Sequence, residues 1–186
     1  MTDIEVLQRL IKEEAKVVKA IEYDRIRVVL EESKASDSTV AVRGLPEESI
    51  VIKADAFKSP DSVFNCSKGE CKRADFVIVA DTGKTRAVVY IEMKSRKASL
   101  EEVRQQLKGA QCFVSYCSVV AKAFYGRKDL LKDYNQRFVS IGHTGIRKKR
   151  TRIDRVESRH DSPDRLLKID WPGNIEFKKL IGETRS

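Results

Sequence analysis

Two short runs rich in β-branched and aromatic residues, FVIVA at 76–80 and AVVYI at 87–91, flank a Gly-containing break, DTGK at 81–84. Runs of this composition and length form strands, and the simplest object they can build is a hairpin. With an even loop of two or four residues, position 80 lies opposite 85 and Asp75 lies opposite Tyr90. Side chains paired across an antiparallel ladder share a face, and so do alternate residues along one strand. Tyr90, Glu92 and Lys94 then point the same way, with Asp75 a diagonal neighbour of Glu92. A three-residue loop without a bulge would turn Asp75 to the opposite face, so the expectation rests on the even register.

Two carboxylates held together repel unless positive charge lies between them, and a hard cation with oxygen ligands and retained waters suits that gap. Magnesium is the natural candidate. Lys94 would face both a metal-bound water and an incoming phosphate, where its point charge orients a nucleophile or meets developing negative charge. The ordinary alternative is a solvated face, since 35% of the residues are charged and short Glu-x-Lys strings arise by chance. Here the string ends an apolar strand, follows a partner that begins with Asp, and leads into a long helix.

Asp75, Glu92 and Lys94 together resemble the motif of the PD-(D/E)xK nuclease superfamily, which includes restriction enzymes, Holliday-junction resolvases and repair exonucleases. The resemblance covers roughly residues 3–142, read as helix, strands, Asp strand, Glu-x-Lys strand, helix and strand. Ala74 stands where the motif has proline, a proline frequently absent in relatives. The literal Pro60-Asp61 pair lies in KSPDS, which is turn chemistry, and is set aside. The resemblance implies an α/β fold with a restriction-endonuclease-like core, a central mixed sheet flanked by helices in the order αβββαβ. It also implies a Mg²⁺-dependent endodeoxyribonuclease, with Mn²⁺ able to substitute. Asp75, Glu92 and the main-chain carbonyl of Met93 would hold the ion, Lys94 would position or activate the attacking water, and a 5′-phosphate would leave. One such site cuts one strand, so a duplex cut implies a homodimer or a recognition subunit. The alternative is a nucleic-acid-binding subunit on the same scaffold that has lost catalysis.

Residues 3–21 carry apolar residues at Ile4, Leu7, Leu10, Ile11, Val18 and Ile21, a helical stripe with Glu14 in its midst. A carboxylate on a buried stripe needs a cation or a bound ion beside it. In the similar family the first helix often contributes an acid to the metal site, which makes Glu14 a candidate. Glu31 and Glu32, after RIRVVL, are its substitutes, and an Arg or backbone partner at the edge of the buried zone is the plain alternative. Ser99 followed by Glu102 forms a capping box that starts a second helix soon after Lys94. Its stripe runs Leu100, Val103, Leu107, Ala110, Val114, Cys117 and Ala121, with Gln106 and Gln111 flanking it. Relatives often place a Gln on this helix against the metal water or a phosphate, so Gln106 joins the candidate site, with Gln111 as its rival and a surface amide the ordinary reading of both.

The formal net charge is +9, and the excess is concentrated in GIRKKRTRIDRVESRH at 145–160. Such a cluster attracts a polyanion with steep salt dependence and little base specificity. Arg147, Lys148, Lys149, Arg150 and Arg152, within a basic loop at 145–162, are therefore candidate nucleic-acid contacts, joined by Arg96 and Lys97. The chain's 186 residues suit a single domain, 1–186. Residues 163–186 read as a C-terminal hairpin appendage, LLKID and IEFKKLI around WPGN. No run is apolar enough for a membrane span or a secretory signal, which points to the cytoplasm. There free thiols are the default for the four cysteines, although Cys66 and Cys71 have the alternatives of a disulfide or half a zinc site.

Overall fold

A computed structural model of the protein describes residues 1–32, 38–95, 98–142 and 159–183. Helix α1, Asp3–Leu10, begins with a capping box in which Thr2 and Glu5 satisfy each other's backbone amides. It then stops, short of the helix expected to reach residue 21. Lys16 bridges to Ile52 and the Val17 amide donates to Val51 O, so the chain turns extended and covers the edge of strand β4, Ser49–Lys53. An available strand edge outcompetes helix propensity here. Val18 and Ile21, counted on the buried stripe, are 85% and 80% exposed.

Among the described residues the hydrophobic runs resolve into two mixed sheets and three helices, an α/β architecture. The larger sheet has the order β4-β5-β6-β7-β8, where β5 is Phe76–Asp81, β6 Arg86–Lys94, β7 Asn135–Gly142 and β8 Leu167–Asp170. Its first two pairings are antiparallel, and β6-β7 and β7-β8 are parallel. The second sheet runs β1-β2-β3-β9, with β1 Ala20–Glu22, β2 Arg25–Glu31, β3 Thr39–Leu45 and β9 Asn174–Glu176.

Because side chains alternate along each strand, the larger sheet buries two different faces. Val77, Val79, Val88 and Tyr90 pack against α1 and the long helix α2, Leu100–Tyr125, through Leu7, Leu107 and Ala110. Phe76, Ile78, Ile91 and Met93 pack instead with Val28, Leu30 and Val42 of the second sheet and with Phe177 and Leu180 of α3, Phe177–Ile181. Helices thus cover one face of the central sheet, and a second sheet with a short helix covers the other. No helix among the described residues is long and apolar enough to cross a membrane.

The expected C-terminal hairpin does not form. β8 adds parallel to β7 in the larger sheet, whereas β9 adds parallel to β3 in the smaller one. The two segments are both apolar enough to be strands, but Trp171-Pro172-Gly173-Asn174 carries the chain across the sandwich between them, with Gly173 O accepting the Ala41 amide. Local turn chemistry alone could not distinguish a hairpin from this crossover.

Helix α2 starts where its cap predicts, with Ser99 Oγ accepting the Glu102 amide. The segment preceding Asp75 lies flat on this helix. Lys72 Nζ donates to Gln105 Oε1 at 2.9 Å, Arg73 sits over the Phe57 ring, and Cys66 is joined to Cys71 in a disulfide, not free as the cytoplasmic default held. Gly109 permits the approach, because a Cβ there would collide with the Lys72 carbonyl oxygen. Gly109→Ala gains helix propensity of about 1 kcal/mol, but forcing two backbones apart costs about 1–3 kcal/mol or more. A lower thermal midpoint is the expected result, and an equal or higher one would show that this packing does not constrain the segment.

Candidate active site

The loop between β5 and β6 fixes where the charged residues meet. Asp81 pairs with Arg86, and the four residues between them close on the Thr82 N–H to Thr85 O bond and on the Gly83 amide donating to Asp81 Oδ1. Gly83 sits at φ 78°, a conformation that favours glycine. The even loop keeps the expected face but moves the register by two residues. Ala80 lies opposite Ala87 and Phe76 opposite Ile91, so counting one step past that last pair sets Asp75 opposite Glu92 instead of diagonal to it.

Asp75 is anchored at both ends: its Oδ2 accepts the Met93 amide at 2.6 Å and its carbonyl accepts the Ala54 amide at 2.8 Å. Glu92 is fully buried. Lys94 Nζ lies 2.9 Å from Glu92 Oε1 and 3.6 Å from a carboxylate oxygen of Glu102, in the first turn of α2. Despite that ionic approach, neither Glu92 oxygen takes part in a well-oriented hydrogen bond among the described residues. A buried carboxylate is costly even beside a cation when its oxygens lack well-oriented hydrogen bonds.

Titration behaviour follows from that environment. Burial, reinforced by the neighbouring Asp75 charge, pushes Glu92 up to about 8 even with Lys94 beside it. Burial likewise raises Asp75 to about 6, against the opposing Met93 amide, with Asp55 and Glu32 adding negative charge nearby. Burial works against the charge on Lys94, but Glu92, Glu102 and Asp75 outweigh it and hold the ammonium above its ordinary value. Two raised carboxylates and one reinforced cation in a single patch form the arrangement in which acid and base chemistry is commonly found.

The other candidate residues are placed unequally. Glu14 is exposed in a one-turn 3₁₀ segment, Glu13–Ala15, because α1 has already ended, so it is not the buried acid the stripe suggested. Glu32, one of its substitutes, is buried, and its Oε2 accepts the Ser95 amide at 2.8 Å. Gln106 is half-buried one turn beyond Glu102, with its Oε1 unpartnered among the described residues, whereas Gln111 is engaged with Gln136. Met93 contributes its amide to Asp75, and its side chain points into the core on the opposite face. Arg96, Lys97, Arg147, Lys148, Lys149, Arg150 and Arg152 lie outside the described residues.

Glu102, whose amide caps α2 on Ser99, also reaches Lys94 with its carboxylate, a contact the sequence reading misses. The signal lay in its spacing: a helix starting directly after the Glu-x-Lys strand must bring its first turn back past that strand's end. His160 is buried, with Nε2 2.8 Å from Leu180 O, a packing position remote from nucleophilic chemistry. Among the described residues, no three or more His, Cys, Asp and Glu side chains gather in a group that could hold a metal ion. No protein-family model matches the chain, and neither curated proteins nor solved structures provide a match.

Proposed function

We propose that the chain is a metal-dependent nuclease of the PD-(D/E)xK type, hydrolysing phosphodiester bonds in DNA. The observation that carries this reading is Glu92, fully buried 2.9 Å from Lys94, with neither oxygen in a well-oriented hydrogen bond among the described residues, one step beyond the Phe76–Ile91 pair that sets it opposite Asp75. Carboxylate oxygens are the hard donors that Mg²⁺ or Mn²⁺ prefers, and Mg²⁺ commonly keeps several waters while using one or two carboxylates, so a site built on two acids suits it. Asp75 and Glu92 would hold the ion, with the Met93 carbonyl as a further oxygen. A divalent ion there supplies positive charge beside a phosphate and makes water in its shell more acidic.

The chain's own groups account for the rest. Asp75 is pre-oriented by the Met93 amide, so its geometry is set before any ligand arrives. Glu102 and Glu92 together keep Lys94 charged and restrict its flexible stem. Lys94 then orients the attacking water and meets the negative charge developing on the phosphate. The net charge of +9 favours a polyanionic substrate.

A second reading, a nucleic-acid-binding subunit without catalysis, draws on the absence of a three-ligand group among the described residues. Incubating the purified protein with Mg²⁺ or Mn²⁺ and labelled duplex, junction, flap, single-stranded and RNA substrates separates the two. Metal-dependent cleavage of a DNA substrate is expected. Salt-sensitive binding without cleavage across the whole panel would favour the second reading.

A further inference from the structure

We propose that Glu32 is a positioning residue for Lys94, acting through the Ser95 backbone, an inference that rests on the nuclease reading above. Lys94 is the last residue of β6, where the ladder ends and a flexible side chain has least support. Its two contacts, to Glu92 and Glu102, require its Cα to be fixed. On one side β7 does this, with Gly142 packed so closely that a Cβ there would stand 3.0 Å from Lys94 O. Beyond Lys94, the next amide, Ser95 N, is donated to Glu32 Oε2 at 2.8 Å. Glu32 is 7% exposed and follows directly on β2, a strand of the other sheet, so its carboxylate ties the second layer to the strand end that carries the lysine. The Ser95 amide donates to an acceptor that is itself held in the packed interior, so the bond fixes the backbone just past Lys94. Misplacing a reacting group by about 1 Å can cost about 10²-fold in rate.

This role needs an acceptor oxygen, which glutamine also supplies, and it does not need the negative charge that a metal ligand would. Glu32→Gln and Glu32→Ala, made in the full chain, are therefore compared by turnover on a cleaved DNA substrate, Mn²⁺ affinity and hydrogen exchange of the Ser95 amide. Glu32→Ala is expected to lower kcat by about 10²-fold with Mn²⁺ affinity preserved, and to speed Ser95 exchange about tenfold or more. Glu32→Gln is expected to restore both kcat and exchange to near wild type. Loss of Mn²⁺ binding in both variants, unchanged Ser95 exchange in Glu32→Ala, or a Glu32→Gln protein as impaired as Glu32→Ala would each overturn the proposal alone. A wild-type protein that neither binds Mn²⁺ nor cleaves overturns the nuclease reading, and this proposal with it.

Discussion

Lys94→Ala is expected to lower turnover by about 10²- to 10³-fold while leaving salt-sensitive DNA binding nearly intact, the loss typical of removing one preorganised group that faces developing charge. The side chain is only one-fifth exposed, held between Glu92 at 2.9 Å and Glu102 at 3.6 Å, so it is not a general surface contact for the phosphate backbone. Its removal should therefore act on the chemical step. It also leaves Glu92 without its nearest cation, raising that carboxyl further, so the variant should need a higher pH than wild type for Mn²⁺ to bind. Lys94→Arg should rescue poorly, because a planar guanidinium cannot occupy the position of a compact ammonium between two carboxylates. Single-turnover cleavage of labelled duplex, measured beside filter binding, reads both effects. A Lys94→Ala protein that cleaves at the wild-type rate would remove the lysine from the mechanism.

Glu92→Gln should abolish metal binding and cleavage, yet make the metal-free protein more stable at alkaline pH. The folded state holds a proton on Glu92 up to about pH 8, whereas an unfolded carboxyl releases it in the ordinary range of about 4.3. The stability contributed by that tightly held proton is fully present below the unfolded value and is lost as pH rises through about 8. Asp75, raised to about 6, contributes a loss of the same sign over a lower window. At about 1.4 kcal/mol per pH unit of difference, the Glu92 contribution amounts to several kcal/mol. Glutamine resembles the protonated acid and carries none of this penalty. The thermal midpoints of wild type and Glu92→Gln should therefore be close near pH 5 and diverge toward pH 8.5, with Mg²⁺ or Mn²⁺ raising only the wild type. Parallel pH profiles would mean that Glu92 is not the buried, ion-seeking carboxylate described above.

Much of this site was legible in the sequence because it rests on short-range rules. Strand alternation and an even loop are enough to put Asp75, Glu92 and Lys94 on one face, and a shift of two residues in register cannot change that parity. The start of α2 was legible for the same reason, since a cap is a local hydrogen bond. What escaped depended on distant partners. The 3.6-residue pattern of Val18 and Ile21 carried no information about the open edge of β4 that draws the chain away from the helix. LLKID and IEFKKLI read as neighbours, but they satisfy different sheets, because each finds its parallel partner, β7 or β3, far away in sequence. The bond between Glu32 and Ser95 spans sixty-three positions, and nothing local marks one glutamate of a consecutive pair as the buried one.

Whether Asp75 and Glu92 share a divalent ion, as proposed, is decided by calorimetric titration of the metal-free protein with Mn²⁺ at pH 7. Binding accompanied by proton release is expected, because Glu92 is still largely protonated at that pH, together with loss of the binding signal in Asp75→Ala. Mn²⁺ binding of equal strength in wild type and Asp75→Ala, or no binding by the wild type, would contradict the proposal.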